Sequence, residues 1–443
     1  MSAGARAALA AALLLAVAPA ASAAPRRAAP PLLAGAASVE VDVPAGTPLG
    51  GYGGFPRRAF VPDVLGRLPH AFWFAPSTGV HDPVRARGLV LEAGATRVLW
   101  LAVDLVGIDP GLITALGARL RQRGLEYSAI IVSASHTHSG PGAFADSALF
   151  GVIALDRLSP VVRDRIVDGL VRAAREAEAR KVAARVGAGR AEVRGITESR
   201  VHGTLDPELG VLKVMDLRGR PVALLWNYAI HGTALGRENS LLSGDLMAAA
   251  SARIERALGV PALFVNGAVG DVSPRPRGWA GVEAAGAALA TGALAAWGAA
   301  KPERDPRLGV AVERVTLPSP ALSLRNCLGR WVPANITLGL GRALPSSAEL
   351  IALAVGGAAS VTVPGELESR LGLDVKAAAR ERFRHVFVAG VSNDYLGYFL
   401  APAHYRRPSY IACGSLYGER GGEIIRDGAI AALRRLGARQ AGR

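Results

Sequence analysis

Apolar residues recur every three to four positions across six stretches of this chain, the period of helices that bury one stripe. The stretches are 111–123, 159–180, 246–258, 282–297, 367–382 and 422–436. Between them lie short, continuously apolar runs at 37–43, 89–92, 98–103, 129–133, 222–227, 262–265, 359–363 and 386–391, which predict largely buried strands. Strands alternating with longer helices give an α/β class, mixed β-sheets flanked by helices. No repeat of about 20–50 residues is present, which excludes solenoids and propellers.

Two stretches break this pattern. Residues 48–79 carry Gly50, Gly51, Gly53 and Gly54, followed by the apolar cluster Ala71-Phe72-Trp73-Phe74. Such a cluster is either ordinary core or a hydrophobic lid or membrane-contacting loop. Residues 318–333 read as a second loop.

At the N-terminus Arg6 precedes an apolar run at 7–17 and the small-residue step Ala21-Ser22-Ala23, the order of a cleavable secretory signal. The expected division is a signal peptide at 1–23, a linker at 24–40 and one large domain at 41–443. The mature chain is expected to be secreted or periplasmic, with no transmembrane segment.

Composition narrows the picture further. Half the residues are apolar, enough to build a large core in one domain. The 51 basic against 36 acidic side chains, a formal charge of +15, would favour peripheral contact with anionic surfaces such as phospholipid or lipopolysaccharide headgroups, the alternative being a generic solvated surface. The basic residues are scattered and no nucleic-acid motif accompanies them, so a nucleic-acid partner is not expected. Cys327 and Cys413 are the only cysteines, which excludes a disulfide-scaffolded mini-protein and a cysteine-rich zinc module; whether they pair is left open.

The candidate chemistry sits where apolar runs end. The runs near residues 132, 226, 265, 363 and 391 stop, respectively, at His136-Thr137-His138-Ser139-Gly140-Pro141-Gly142, Asn227-Tyr228-Ala229-Ile230-His231-Gly232-Thr233, Asn266 to Pro274, Pro364-Gly365-Glu366, and Asn393-Asp394-Tyr395-Leu396-Gly397-Tyr398. Strand C-termini in such folds face a common crevice, so the five endings are expected to converge. If the backbone at His136 and His138 is extended, both imidazoles point to one face with Cα atoms about 6–7 Å apart. Together with His231 and Glu366 they make a nitrogen and oxygen donor set suited to zinc with a position left for water. Taken singly, each feature has a plain structural alternative: satisfied histidines, a helix N-terminal acid at Glu366, a core tyrosine at Tyr398, and a polar turn around Ser273.

In their order along the chain, these five segments resemble the signatures of the neutral/alkaline non-lysosomal ceramidases, and Ser415-Leu416-Tyr417-Gly418 is similar to a further stretch of that family. The resemblance covers about residues 41–417 and makes 41–443 a catalytic domain without the family's immunoglobulin-like C-terminal domain. It implies one zinc ion per chain, held by His136, His231, Glu366 and Tyr398. His138 then handles protons at the substrate, Arg200 and Tyr410 flank the scissile amide, and Ser273 is either a nucleophile or a group that positions water. The implied activity is hydrolysis of the N-acyl linkage of ceramide or a related N-acyl lipid. The alternatives are a zinc amidohydrolase of the same architecture acting on a non-sphingolipid amide, and a serine hydrolase using Ser273.

Overall fold

The apolar runs assemble into two sheets packed face to face, with helices on both outer sides. The computed structural model describes residues 30–304 and 306–441; the expected signal peptide lies outside the described residues. The larger sheet contains β1 (Leu33–Glu40), β2 (Arg85–Ala93), β3 (Thr96–Val103), β4 (Ala129–Ala134), β5 (Val182–Glu192), β6 (Glu208–Asp216), β7 (Pro221–Tyr228) and β8 (Ala262–Asn266). Their spatial order is β8-β7-β6-β5-β1-β2-β3-β4. The smaller sheet runs β9 (Leu308–Thr316), β10 (Ser347–Val355), β11 (Ala358–Thr362) and β12 (His385–Ala389), in that order.

Both sheets are mixed. β3 with β4, β7 with β8 and β11 with β12 are parallel, while the other neighbours are antiparallel. The α/β reading therefore holds, as a four-layer sandwich. Leu89, Trp100, Ile131, Leu225 and Leu263 of the larger sheet interdigitate with Ile351, Leu353 and Phe387 of the smaller one to form the layer between them. A strand such as Ala129–Ala134 thus has apolar residues on both faces, which is why the runs read as continuous rather than alternating.

Helices α1 (Pro110–Arg121), α2 (Pro160–Ala179), α3 (Asp245–Leu258) and α4 (Gly278–Ala299) cover the outer face of the larger sheet, and α5 (Ser369–Ala379) and α6 (Gly421–Ala441) cover the smaller. Leu112, Leu116 and Leu120 form the buried stripe of α1, whose N-terminus is capped by the Asp109 carboxylate. Among the described residues α4 is the one helix long and apolar enough to cross a membrane. Its Val282, Ala285, Leu289 and Ala293 instead pack beneath Leu209 and Leu224 of the sheet.

Two expectations change. Of the segment expected as a linker at 24–40, Leu33–Glu40 form β1, registered through Leu33↔Glu92 and Glu40↔Arg85 against β2. The strand β5 was not legible in the composition Val-Ala-Ala-Arg-Val-Gly-Ala-Gly-Arg-Ala-Glu, which is poor in β-formers. Its glycines have a packing reason: a Cβ on Gly189 would lie 2.1 Å from the Ala296 carbonyl oxygen, so Gly189 lets α4 settle on the sheet.

The irregular segment 48–79 folds over one end of the sandwich. The Asp156 carboxylate accepts backbone hydrogen bonds from Phe72, Trp73 and Phe74 at 2.9, 2.9 and 3.0 Å, and Ala71 and Phe74 are buried. Of that cluster Ala71 and Phe74 belong to the core, while Phe72 and Trp73 are half-buried. The exposed apolar residues of this region lie upstream, at 55–68.

Candidate metal centre

The ends of β4, β7, β8, β11 and β12 meet, and amide side chains bind them together. Asn227 Nδ2 donates to the carbonyls of Val265, Asn266 and Val388, so a single side chain spans both sheets. Asn266 Nδ2 donates to Ser135 and Ile230, and Asn393 Oδ1 accepts from Val132 N at 2.7 Å. Ser133 and Ser392 hydroxyls share a 2.7 Å hydrogen bond across the same seam. These groups are paired and, apart from the half-buried Asn393, buried, which makes the meeting point rigid.

His136, His231 and Glu366 occupy that meeting point, each almost wholly buried. His136 follows β4, but not in extended geometry: its φ is +65°, in the left-handed region. The turn, rather than a shared strand face, brings His136 and His138 together, with ring centroids 5.1 Å apart and planes at 90°. His138 N then donates to Gly232 O, and Gly232 N donates to His136 O, fastening this turn to the one that carries His231.

Ring tautomers follow from the backbone. His136 Nδ1 donates to Val106 O at 2.5 Å and His231 Nδ1 donates to Val272 O at 2.7 Å, so both Nε2 atoms are left to face the site. His136 Nε2 lies 3.3 Å from Glu366 Oε1, and His231 Nε2 lies 2.9 Å from Glu366 Oε2. Burial, and then the Arg200 guanidinium, push the His231 pKa down to about 3. Burial disfavours ionisation of Glu366, but the neighbouring His136 and His231 rings outweigh it and hold the carboxyl well below its usual range.

The Nε2 atoms of His136 and His231 and the Glu366 carboxylate thus converge in a buried site, an arrangement that suits a cation between them. His136 Nε2, Glu366 Oε2 and both ring nitrogens of His138 are buried with no hydrogen-bond partner among the described residues. The ring nitrogens that His136, His138 and His231 offer lie within 4.8 Å of one another. This donor set fits a metal ion of the zinc type.

The other sequence-predicted residues surround this cluster. Arg200 Nε donates to Ser273 Oγ at 2.8 Å, its Nη1 lies 3.0 Å from His231 Nε2, and its guanidinium sits 5.5 Å from the centre of the Tyr410 ring. Tyr398 stands in register with Glu366 where two short strands pair in parallel, and its ring meets Tyr410 edge-on at 6.3 Å. Ser273 is bonded by Arg200 and, among the described residues, by no imidazole. His138 packs edge-on against Tyr52 at 4.8 Å, and burial, followed by the adjacent His136 and His231, holds its pKa well below the usual histidine value.

Two residues not singled out from the sequence take part. Tyr395 donates from its hydroxyl to Glu366 Oε1 at 2.5 Å, and Gly51, at φ +109°, lies against His138. Tyr395 stands in the same polar run as Tyr398, which was the available signal; nothing local to Gly51 announces its distant neighbour.

The cluster lies in the wall of a cavity of about 830 Å³. Phe144, Phe150, Ile153, Leu155, Leu344 and Leu416 give it an apolar interior, and Arg200, Ser273, Tyr398 and Tyr410 supply polar groups beside the histidines. Such a cavity suits an apolar ligand with a polar group to be held at one point. One of its walls is fixed by a disulfide between Cys327 and Cys413.

Comparison with known proteins converges on one family. The family profile described as neutral/alkaline non-lysosomal ceramidase, N-terminal, matches residues 74–291. The neutral ceramidase of Pseudomonas aeruginosa is 28% identical over 220 residues, covering 45% of this chain and 33% of that protein. Neutral ceramidase B of Dictyostelium discoideum is 25% identical over 229 residues, covering 45% and 32%. These alignments span about a third of the curated relatives' length. The crystal structure of the Pseudomonas aeruginosa neutral ceramidase superposes with a TM-score of 0.77 at 20% identity, over 92% of this chain and 75% of that one. The likeness in fold thus extends beyond the segment matched in sequence, to the part of the chain that carries Glu366, Tyr398 and Tyr410.

Proposed function

Because this chain belongs to the neutral/alkaline non-lysosomal ceramidase family, we propose that it is a zinc-dependent amidohydrolase that cleaves the N-acyl linkage of ceramide or a related N-acyl lipid. The observation that carries this reading is the cluster of unpartnered, buried donor atoms on His136, His138 and Glu366 in the wall of an apolar cavity. His136, His231, Glu366 and Tyr398 would hold one zinc ion, whose Lewis acidity polarises a carbonyl and acidifies water.

The chain's own residues supply the remaining work. His138 is held neutral by burial, so one of its ring nitrogens can accept the proton of the attacking water and deliver it to the leaving amine. Tyr410 and the Arg200 guanidinium, stacked against each other, donate toward the oxygen that gains charge as the amide carbon becomes tetrahedral. Each such donor is worth about 3–4 kcal/mol when fully engaged. Arg200 also fixes Ser273, which supports a positioning role for that serine rather than nucleophilic attack. The apolar walls receive the acyl chain and exclude water from the reacting carbonyl.

The test pairs metal analysis with substrate comparison. The purified chain is expected to carry about one zinc, to lose hydrolysis of N-acyl sphingoid lipids on chelation, and to prefer long acyl chains to short N-acyl amino acids. Full activity after chelation would return the reading to a serine hydrolase. Indifference to acyl length would instead favour an amidase for non-sphingolipid substrates.

A further inference from the structure

Upstream of Phe74 the chain leaves the cavity wall after Gly53 and doubles back on itself. Tyr52 and Gly53 line the cavity, and residues 57–63 then pair irregularly with 72–75: Ala59 N donates to Trp73 O, Ala75 N to Arg57 O, and Asp63 N to Phe72 O. The Asp63 carboxylate accepts from Leu68 N at 2.6 Å and closes the tip. These bonds fix a protrusion whose side chains are unlike those of an ordinary surface.

Phe55, Phe60, Val61, Val64 and Leu65 are each between 62% and 87% exposed, and the rings of Phe55 and Phe60 lie 5.0 Å apart. Beside them the exposed pair Val152 and Ile153 continues the apolar surface to the cavity, since Ile153 is part of its lining. Arg58 joins the two, donating to Gly53 O and Val152 O. Adjacent apolar side chains held in the open on a rigid support mark a contact surface.

Charge identifies what it contacts. Arg67 on the tip and Arg157 at its base are exposed, and Arg237, paired with Glu238 at 3.5 Å, sits beside Gly54. The one carboxylate on the tip, Asp63, is engaged by the tip's own backbone, and the whole chain carries +15. An apolar tip with a basic rim matches the boundary of an anionic bilayer, where apolar side chains enter the acyl region and arginines meet headgroup phosphates. The tip also precedes residues 74–291, the part matched by the family profile, so it is not a feature that the match carries with it.

We infer that residues 55–68 dock this protein on anionic lipid bilayers and thereby set the mouth of the cavity against the membrane. The inference rests on the lipid-amide reading above, because a docked mouth lets an N-acyl lipid pass from bilayer to cavity without crossing water. Val64 and Leu65 enter the acyl boundary together with Phe60, while Arg67 and Arg157 remain at headgroup level.

The test compares the full chain with a variant carrying Phe60→Ser, Val64→Ser and Leu65→Ser, three exposed positions whose replacement leaves the core intact. Partitioning is measured by co-sedimentation with vesicles of phosphatidylcholine alone and of phosphatidylcholine with phosphatidylglycerol. The unaltered chain is expected to bind the mixed vesicles at least about tenfold more strongly than the variant does, and to release as salt is raised. A Phe60→Trp chain is expected to shift its emission to the blue on mixed vesicles only. Hydrolysis of a water-soluble short-chain N-acyl amide, without vesicles, is expected to be equal in the parent and triple-variant chains. Equal partitioning of parent and variant overturns the proposal, as does a dimer formed without lipid and abolished by the same substitutions. Vesicle binding by a chain that hydrolyses no N-acyl amide would instead overturn the amidase reading and leave the docking surface standing.

Discussion

The Tyr395 hydroxyl donates a 2.5 Å hydrogen bond to Glu366 Oε1, while the Glu366 carboxylate faces His136 and His231. Burial, and then the Glu366 charge, raise the Tyr395 pKa well above the usual tyrosine value, so the phenol keeps its proton and remains a donor. Partners of this kind orient metal ligands and govern affinity more than fold. Tyr395→Phe is therefore expected to weaken zinc binding by about 10–100-fold with a nearly unchanged melting temperature. Competition with a chromophoric chelator measures it, and an unaltered affinity would remove Tyr395 from the support of the site.

Geometry admits two donor sets, because the ring nitrogens of His136, His138 and His231 also converge. The proposed function takes His138 as a proton carrier and Glu366 as a ligand. On that assignment His138→Ala keeps about one zinc and loses about 10²–10⁴ in kcat, whereas His231→Ala loses the metal. Zinc content by mass spectrometry separates them; loss of metal from the His138 variant would establish the three-histidine set.

Gly51 sets the position of His138. A Cβ there would lie 2.6 Å from the imidazole Cγ, and φ at +109° disfavours any side chain. Gly51→Ala is expected to retain zinc but to reduce kcat by about 10²-fold, since a displacement of about 1 Å costs this much when a proton carrier is misplaced. Unchanged kcat in this variant would mean that the ring position is not limiting.

Asp245 opens α3 at φ +57°, with its carboxylate oxygens accepting from Leu235 N and Leu246 N. Burial raises its pKa from 3.8 to about 7 despite those hydrogen bonds. The folded chain thus holds a proton that the unfolded chain releases above its lower pKa. The stability this contributes is fully present below pH 3.8 and is lost as pH rises through about 7. Relative to Asp245→Asn, the unaltered chain is expected to lose on the order of 4 kcal/mol between pH 4 and pH 8. Paired thermal unfolding curves across that range measure this difference, and a constant gap between the two proteins would refute the assignment.

Helix periodicity located all six long helices to within a few residues, because each buries one apolar stripe: the expected 159–180 and the observed Pro160–Ala179 are an example. Strands rich in alanine, glycine and arginine, such as Val182–Glu192, escaped because they are held by sheet partners and close helix packing rather than by their own propensity. At the site, the strand endings were legible as polar breaks after apolar runs. The left-handed turn at His136 was not, since a non-glycine φ of +65° is imposed by the bonds of Ser135 and His136 amides to Val103 and Leu105 carbonyls. Arg200, which only the family resemblance pointed to, lies 3.0 Å from His231, held by strand pairing between Thr197–Ser199 and Val272–Pro274.

The site straddles two sheets that are contributed by different stretches of chain: His136 and His231 follow strands of the larger sheet, and Glu366 follows one of the smaller. An ion bound between them would act as a rivet, joining halves that each carry a helix-covered face of their own. Assembly of the reactive centre and closure of the sandwich then become a single event. A chain whose halves had moved apart would lose the site while every helix in it was still intact.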